Sequence, residues 1–488
     1  MHGDFESDTS AAGFDPALDK VTLSRGDSVS QPKVKRQIHP SRLIVLAFLG
    51  VVALGTALLA MPFTSADGKP TPIADALFTA TSAVTVTGLT SVDTELHWNL
   101  YGDIVIGLLI QIGGFGIVGF ATLLGYLIDG RISLSSRMSA SVESAVTGNN
   151  DVKKLITSIL KMMLFFELAL FLVLFLRFST KYGYDVNDAF GHGLFHAVSA
   201  FNNAGFALYS DSLMSFARDG WIIIPIFIGA FMGSLGFPVL SEGWDRLKRR
   251  TRMLFRKPVV FIPIQWSLNS RIILWSSLVL VITGTVYVLI LEWANPKTLG
   301  PLDPLTKIFD ATFAAIMPRT AGFNAQDISA MHPSTWLGMD LLMFIGGGSA
   351  STAGGIKIGT AVVLAYIVFT EIRGETAVNI GNRRLPRSIQ RQALTIVGLT
   401  ATLAAVAVVI LRLTTEYSLD MIVFDVLSAV CTVGLSTGVT MDMHEMGKVM
   451  FSILMFIGRV GPVSMATALA LRKAKRHFEY PKERPMIG

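Results

Sequence analysis

Long stretches of uncharged apolar residues recur along most of the chain. The first, over residues 43–61, runs for 19 residues without a charge, which is enough to cross about 30 Å of hydrocarbon as a helix. Seven comparable stretches follow, and three of them contain a charged side chain. The pattern predicts an all-α polytopic membrane protein whose eight transmembrane helices lie at 43–61, 104–128, 155–176, 221–240, 272–291, 341–370, 393–411 and 449–471.

The connections on one side of this arrangement each contain an additional, shorter apolar piece. None of these pieces is long enough to cross the membrane and return as two full helices. Non-helical backbone is tolerated at membrane depth only where protein buries it or where it lines a water-filled cavity. We therefore predict four re-entrant segments, each a pore helix followed by a loop, at 78–92, 190–209, 311–317 and 421–440.

The four re-entrant segments share a pattern centred on a glycine. Gly88, Gly205, Gly322 and Gly434 follow one another at intervals of 117, 117 and 112 residues, and each is followed by a large apolar residue. Near-equal periods indicate repeated structural units, here four copies of span, pore loop and span around a central pore. The units are predicted over 41–130, 131–250, 251–375 and 376–475, between a polar, disordered N-terminal extension (1–40) and a cytoplasmic C-terminal tail (476–488).

This arrangement predicts a site for a dehydrated cation. A short helix that ends within the membrane points its negative C-terminal end inward. The loop after it offers carbonyl oxygens, and rings of carbonyls can replace the hydration shell of a monovalent cation. Glycine at the centre of the loop permits positive φ and leaves no side chain in the path. The alternative is that these glycine-rich loops only pack the repeats together.

Composition and charge narrow the class of protein. Apolar residues make up 51% of the chain and charged residues 16%, below the roughly 25% of globular proteins. Cys431 is the single cysteine of the sequence, which excludes an intrachain disulfide and a cysteine-rich metal site. Most of the 41 Lys and Arg residues lie on the side that holds both termini. The positive-inside rule places that side in the cytoplasm, and no separate basic domain remains to bind nucleic acid.

Two local patterns resemble binding motifs, but their surroundings do not favour a binding site. Gly114, Gly116 and Gly119 fit G-x-G-x-x-G, but they lie within an apolar span, so close helix packing is the better interpretation. His192 and His196 have the spacing of two zinc ligands on one helix face, yet no third ligand is evident nearby. The sequence contains no phosphate-binding loop of the form G-x-x-x-x-G-K-[ST], and a membrane enzyme is not favoured.

Longer motifs resemble the Trk/Ktr/HKT superfamily of cation-translocating subunits. They read QIGGFG at 111–116, SAFNNAGF at 199–206, PRTAGFN at 318–324, GGGSASTAGGIK at 346–357, TVGLSTG at 432–438 and GRVGP at 458–462. The resemblance covers about residues 40–475, and the count of eight spans is more similar to the KtrB type than to the TrkH type.

The resemblance implies a potassium-uptake pore with a four-fold selectivity filter. The central residue of each filter stretch is glycine here, whereas the sodium-selective branch of the family commonly has serine at the first. Gly88 therefore favours potassium over sodium. The implied filter residues, whose backbone carbonyls would bind K+, are Val86, Thr87, Gly88 and Leu89; Asn203, Ala204, Gly205 and Phe206; Thr320, Ala321, Gly322 and Phe323; and Thr432, Val433, Gly434 and Leu435.

The resemblance also implies a gate, an intramembrane loop that interrupts the second span of the third unit. Five glycines in a helix would each cost about 1 kcal/mol relative to alanine, which favours unwound backbone. Arg459 is implied to lie near this loop, where it holds loop carbonyls or repels cations; an ion pair with Glu167 is the alternative. Lys161 is expected to reach the membrane interface. The implied loop residues are Gly346, Gly347, Gly348, Ser349, Ala350, Ser351, Thr352, Ala353, Gly354 and Gly355, followed by Lys357.

The expected function is inward potassium transport across the plasma membrane, by a subunit that is not an enzyme and holds no cofactor of its own. The resemblance implies a homodimer on a cytosolic, KtrA-like ring that binds ATP or ADP. The basic segments 246–257 and 472–484 are candidate contacts with that ring; simple topology and anionic membrane lipids are the alternatives. A dependence on Na+ stays open, as do a sodium-permeable pore, a cation-coupled symporter and a non-transporting membrane enzyme or receptor.

Overall fold

The computed structural model describes residues 40–115, 149–254, 266–319, 321–381 and 383–461. These ranges are helical apart from their loops and a small antiparallel pair formed by β1 (Asn379–Ile380) and β2 (Arg383–Arg384). The predicted all-α fold is confirmed. The N-terminal extension up to residue 39, the C-terminal tail and Thr320, which was predicted to be a filter residue, lie outside the described residues.

In chain order the helices are α1 (Pro40–Leu59), α2 (Ile73–Thr85), α3 (Leu100–Gly114), α4 (Asn149–Lys181), α5 (Val186–Asn202), α6 (Gly220–Leu235), α7 (Phe237–Leu254), α8 (Leu268–Glu292), α9 (Pro304–Ile316), α10 (Pro333–Phe344), α11 (Ile358–Ile372), α12 (Arg387–Thr414), α13 (Leu419–Val430) and α14 (Glu445–Val460). Single helical turns occur at Pro62–Thr64, Thr94–His97, Met214–Phe216, Met317–Arg319 and Ile328–Ala330.

The short helices α2, α5, α9 and α13 overlap the four predicted re-entrant segments. Local sequence starts some of them: the Asp303 side chain accepts a hydrogen bond from Thr306 N at the start of α9, and Ser418 accepts one from Met421 N at the start of α13. Large apolar side chains on these helices are fully buried, such as Phe78 and Phe424. We call these four helices the pore helices.

The four repeats pack head to tail in a closed ring. Three pore helices pack between the two helices of their own repeat, while α9 packs against α8 and the turn Met317–Arg319 after it contacts α10. Three pore helices also pack against the second helix of the repeat before: α5 against α3, α9 against α6, and α13 against α10. The ring closes because α2, in the first repeat, packs against α14, in the last. The four pore loops therefore meet around one axis.

Two of the predicted spans are interrupted. The span predicted at 221–240 is not a single helix, because α6 ends at Leu235 and α7 leaves it at an angle of 107°. Gly236 makes this turn with φ +92°, a backbone conformation that residues other than glycine rarely adopt. The span predicted at 341–370 divides into α10 and α11, and the chain between them is not helical.

Length and apolar composition identify the helices that can cross a membrane. Among the described residues, Ile156–Lys181, Leu268–Glu292 and Arg387–Thr414 qualify alone, and the bent pair of α6 and α7 qualifies together. The apolar segments of α1, α3 and α11, over Val45–Leu59, Leu100–Gly114 and Ile358–Ile372, are shorter, at 10–17 residues. The second and last predicted spans continue beyond residues 115 and 461, outside the described residues.

Candidate ion pathway

Each pore helix is followed by a turn that reverses the chain. At the end of three pore helices a residue takes left-handed backbone angles: Val86 with φ 55°, Asn203 with φ 59° and Thr432 with φ 49°. The four glycines of the repeated pattern (Gly88, Gly205, Gly322 and Gly434), which we call the pattern glycines, also have positive φ, from 67° at Gly322 to 102° at Gly434. A glycine is required at these positions because side chains are strained there.

The four pattern glycines form a closed ring. A Cβ placed on Gly88 would stand closer than 3.0 Å to the carbonyl oxygen of Ala204, in the next repeat. The same relation holds from Gly205 to Ala321 O, from Gly322 to Val433 O and from Gly434 to Thr87 O, which returns to the first repeat. Real Cβ atoms essentially never come so close, so backbone of one repeat lies directly on backbone of the next all the way round.

The ring is lined by backbone rather than by side chains. The side chains of Val86, Ala204, Phe323 and Leu435 are buried, while the carbonyl oxygens of the residues before the glycines lie at the approach between repeats. A ring of backbone carbonyls that follows the C-terminal ends of four helices can hold a dehydrated monovalent cation.

An open cavity of about 190 Å³ lies against one end of the ring. All four pattern glycines line it, together with residues that follow them in each repeat. Asp93 and Asp211 also line this cavity, and acidic groups at the mouth of a narrow path raise the local concentration of cations.

The intramembrane loop, residues 345–357 between α10 and α11, lies against the other end of the ring. Asn203 Nδ2 donates to Thr352 Oγ1 at 2.6 Å. A Cβ on Gly354 would stand closer than 3.0 Å to Thr432 Oγ1. The loop therefore contacts residues that precede the glycines in the second and fourth repeats, whereas the cavity is lined by residues that follow them. A cation that crosses the ring meets both in turn.

Arg459 attaches the last helix to this loop. Its guanidinium donates to the carbonyl oxygen of Thr352 and, at 2.9 Å, to the carbonyl oxygen of Gly113 on α3. The arginine is 8% exposed. Glu167, predicted as an alternative partner, accepts hydrogen bonds from Gln111 and Asn202 instead, each at 3.0 Å. Of the three interpretations of Arg459, the contact with loop carbonyls is the one this geometry favours.

The loop is also bound to the bend between α6 and α7. Gly348 N donates to Ser234 O at 2.8 Å, and Phe237 N donates to Ala350 O at 3.1 Å. Gly236 lies against the loop so closely that a Cβ on it would approach Ser349 O to 2.5 Å. Sequence reasoning missed this hinge, although a glycine within an apolar span, followed by Phe237 and a proline, was an available signal.

The remaining charged candidates have simpler surroundings. Lys357 Nζ donates to the carbonyl oxygen of Ala353, so this lysine folds back over the loop. Lys161 is exposed on α4.

The glycines predicted to allow close helix packing are described only in part. Gly114 leaves no room for a Cβ beside the Asn202 side chain. Gly116 and Gly119 lie outside the described residues.

The chain is similar over most of its length to known transport proteins. A family model described as TrkH, cation transport protein, matches residues 24–479. The chain is 36% identical to the Ktr system potassium uptake protein B of Vibrio alginolyticus over 448 residues, covering 92% of this chain and 94% of that protein. It is 35% identical to the protein of the same name from Bacillus subtilis, covering 92% and 97%.

Two further similarities bear on the interpretation. The Potassium/sodium uptake protein NtpJ of Enterococcus hirae is 32% identical over 94% of this chain and 100% of its own length. The crystal structure of the potassium transporter TrkH from Vibrio parahaemolyticus superposes with a TM-score of 0.70 over 90% of this chain and 87% of that chain, at 17% identity, and so shows the same fold. These matches are to transport proteins and not to enzymes. The chain belongs to the TrkH family of cation transport proteins.

Proposed function

We propose that this protein is the ion-translocating subunit of a potassium uptake system of the Ktr type. The observation that carries the proposal is the ring of Gly88, Gly205, Gly322 and Gly434, in which each repeat presents backbone to the next. Carbonyl oxygens from the filter stretches bind K+ in place of water. The membrane potential drives K+ inward with about 2.3 kcal/mol per charge for every 100 mV.

The proposal includes the gate. The intramembrane loop lies against the ring through Thr352 and Gly354 and closes the path from that side. Arg459 and the hinge at Gly236 hold the loop there. Displacement of the loop opens the path without any covalent chemistry.

Assembly is part of the same proposal. The relatives are named as parts of a Ktr system, which supports a partner protein for this chain as well. The subunit works as a homodimer in the plasma membrane, with both termini in the cytoplasm. A cytosolic, KtrA-like ring that binds ATP or ADP regulates it, so nucleotide control resides outside this chain.

Ion flux into liposomes that hold the purified protein tests the transport function. Wild type is expected to take up K+ well above Na+, and Gly88→Ser is expected to lose that preference, because the serine side chain would meet the carbonyl of Ala204. Absence of flux for any ion, with and without a KtrA-like subunit, would overturn the proposal.

A sodium-permeable pore is the second candidate, favoured by the name of the NtpJ relative. It predicts equal uptake of Na+ and K+ by wild type in the same liposomes. A cation-coupled symporter predicts instead that K+ flux follows the gradient of the second ion.

A further inference from the structure

The pore helices carry buried polar side chains that form hydrogen bonds with the residues just after each filter stretch. In the fourth repeat Asp425, which is 0% exposed, accepts hydrogen bonds from Ser436 Oγ at 2.6 Å, Thr437 N at 2.9 Å and Thr437 Oγ1 at 3.0 Å. Ser436 and Thr437 directly follow Leu435, the last residue of that filter stretch.

The other three repeats hold the same part of the chain in their own ways. Asp75 on α2 accepts from Ser91 Oγ at 2.6 Å. Asp310 on α9 accepts from Gln326 Nε2 at 3.4 Å. In each case the partner stands three or four residues after the pattern glycine, as Thr437 does.

In the second repeat a histidine takes the role of the carboxylate. His196 Nδ1 lies 2.7 Å from the carbonyl oxygen of His192, which can only accept, so Nδ1 carries the proton. Nε2 is then free to accept, and it accepts from Leu208 N at 3.4 Å. The ring is therefore neutral, and its spacing from His192 serves this contact rather than a metal.

A second contact to the same helix holds the other end of this stretch. Ser428, one turn further along α13, accepts from Gly434 N at 3.0 Å. Because a trans peptide points its N–H and C=O in opposite directions, this bond turns the carbonyl of Val433 away from the helix. That carbonyl is the one that faces Gly322 in the ring. Ser428 and Asp425 thus fix both ends of the stretch from Gly434 to Thr437 on one face of α13.

We propose that Asp425 is a positioning residue for ion selectivity, and that it sets the height and orientation of the filter carbonyls of the fourth repeat. This rests on the proposed potassium transport. The chain that follows this stretch also reaches the first repeat, because Thr440 Oγ1 donates to Thr90 O at 3.0 Å. Loss of the carboxylate releases Ser436 and Thr437, which directly follow the filter stretch of the fourth repeat.

The test compares Asp425→Asn with Asp420→Asn in liposomes, using the ratio of K+ to Na+ permeability. Asp420 lies on the same helix and is exposed, so its change is matched in chemistry but does not touch the filter. We expect Asp425→Asn to pass K+ while its ratio falls by up to roughly tenfold, the equivalent of about 1.4 kcal/mol of discrimination. Asp420→Asn is expected to keep the wild-type ratio.

Ser436→Ala provides a second variant that removes one donor and leaves the buried carboxylate in place. We expect it to lower the ratio less than Asp425→Asn, and the double variant to be no worse than Asp425→Asn alone. If Asp425→Asn does not fold, Ser436→Ala carries the test. Wild-type ratios in every variant that folds would overturn the inference while leaving the transport function intact. A wild-type protein that shows no K+ preference would instead overturn the proposed function.

Discussion

The guanidinium of Arg459 donates a hydrogen bond to the carbonyl oxygen of Thr352, so the last described helix is attached to the centre of the intramembrane loop. The same guanidinium also donates to Gly113 O on α3. One side chain therefore joins the first repeat, the third and the fourth at the point where the loop meets the ring.

Removal of this attachment is expected to open the path. A hydrogen bond to a charged group contributes about 1.5–3 kcal/mol, so we expect Arg459→Met to raise basal K+ flux by roughly tenfold. The matched control is Arg412→Met, since Arg412 is exposed and donates to Tyr417 O, far from the loop in sequence. Arg459→Lys separates two roles: flux rises if the contact matters and stays at the wild-type level if only the positive charge matters. Flux at or below the wild-type level in Arg459→Met, at equal protein, would contradict the account.

The hinge at Gly236 gives a second test of the gate. A Cβ there would approach Ser349 O to 2.5 Å, and φ is +92°, so Gly236→Ala must displace the loop. Residues held in such backbone regions cost of order 1–3 kcal/mol, and we expect higher basal K+ flux. Gly243→Ala on α7 is the control, because its nearest neighbour would lie at 3.9 Å. A Gly236→Ala protein with wild-type flux would show that the loop does not gate.

Asp219 predicts a dependence of stability on pH. It is buried before α6 and accepts from Arg177 Nε at 2.8 Å, Arg177 Nη2 at 2.9 Å and Tyr182 OH at 3.1 Å. Burial alone would raise the pKa of Asp219, but these hydrogen bonds and one from Trp221 N outweigh it and hold the pKa of this carboxyl below its usual value. The stabilisation is thus present above about pH 4 and is lost as the pH falls through the folded pKa.

Thermal unfolding in detergent measures this effect. At pH 7 we expect Asp219→Asn to lose about 1.5–3 kcal/mol, the contribution of a hydrogen bond to a charged group. The difference from wild type should shrink as the pH falls below 4. Asp442→Asn is the control, because Asp442 is exposed and surface changes usually stay within about 0.5 kcal/mol. A constant difference from pH 7 to pH 3 would contradict the assignment.

The sequence predicted the repeats because their signals are local. A glycine at a strained turn, as at Gly88, and a serine six residues earlier, as at Ser82, are fixed by the path of one short segment: Ser82 Oγ accepts from Gly88 N at 3.1 Å. The interruption between α10 and α11 was also implied, because clustered glycines destabilise a helix.

The features that were missed depend on segments far apart in the sequence. The bend at Gly236 has a local signal in the glycine and the proline after it, but its contact with the loop at Ser349 joins segments more than 100 residues apart. Likewise, the sequence shows Asp425 only as an isolated acidic residue in an apolar helix, and its partner Ser436 is identified only when the chain after the helix has been placed. The choice between Glu167 and loop carbonyls as partners of Arg459 needed three helices to be placed together.

The central claim is that the glycine ring selects K+, and the second repeat offers a matched pair to test it. Gly205 and Gly183 have similar φ, 71° and 65°, but a Cβ on Gly205 would meet Ala321 O, whereas one on Gly183 would meet nothing within 4 Å. The measurement is the ratio of K+ to Na+ uptake into liposomes for Gly205→Ser and Gly183→Ser. The account predicts that Gly205→Ser loses the preference for K+ and Gly183→Ser keeps it. Equal ratios in the two variants would show that the ring does not set selectivity.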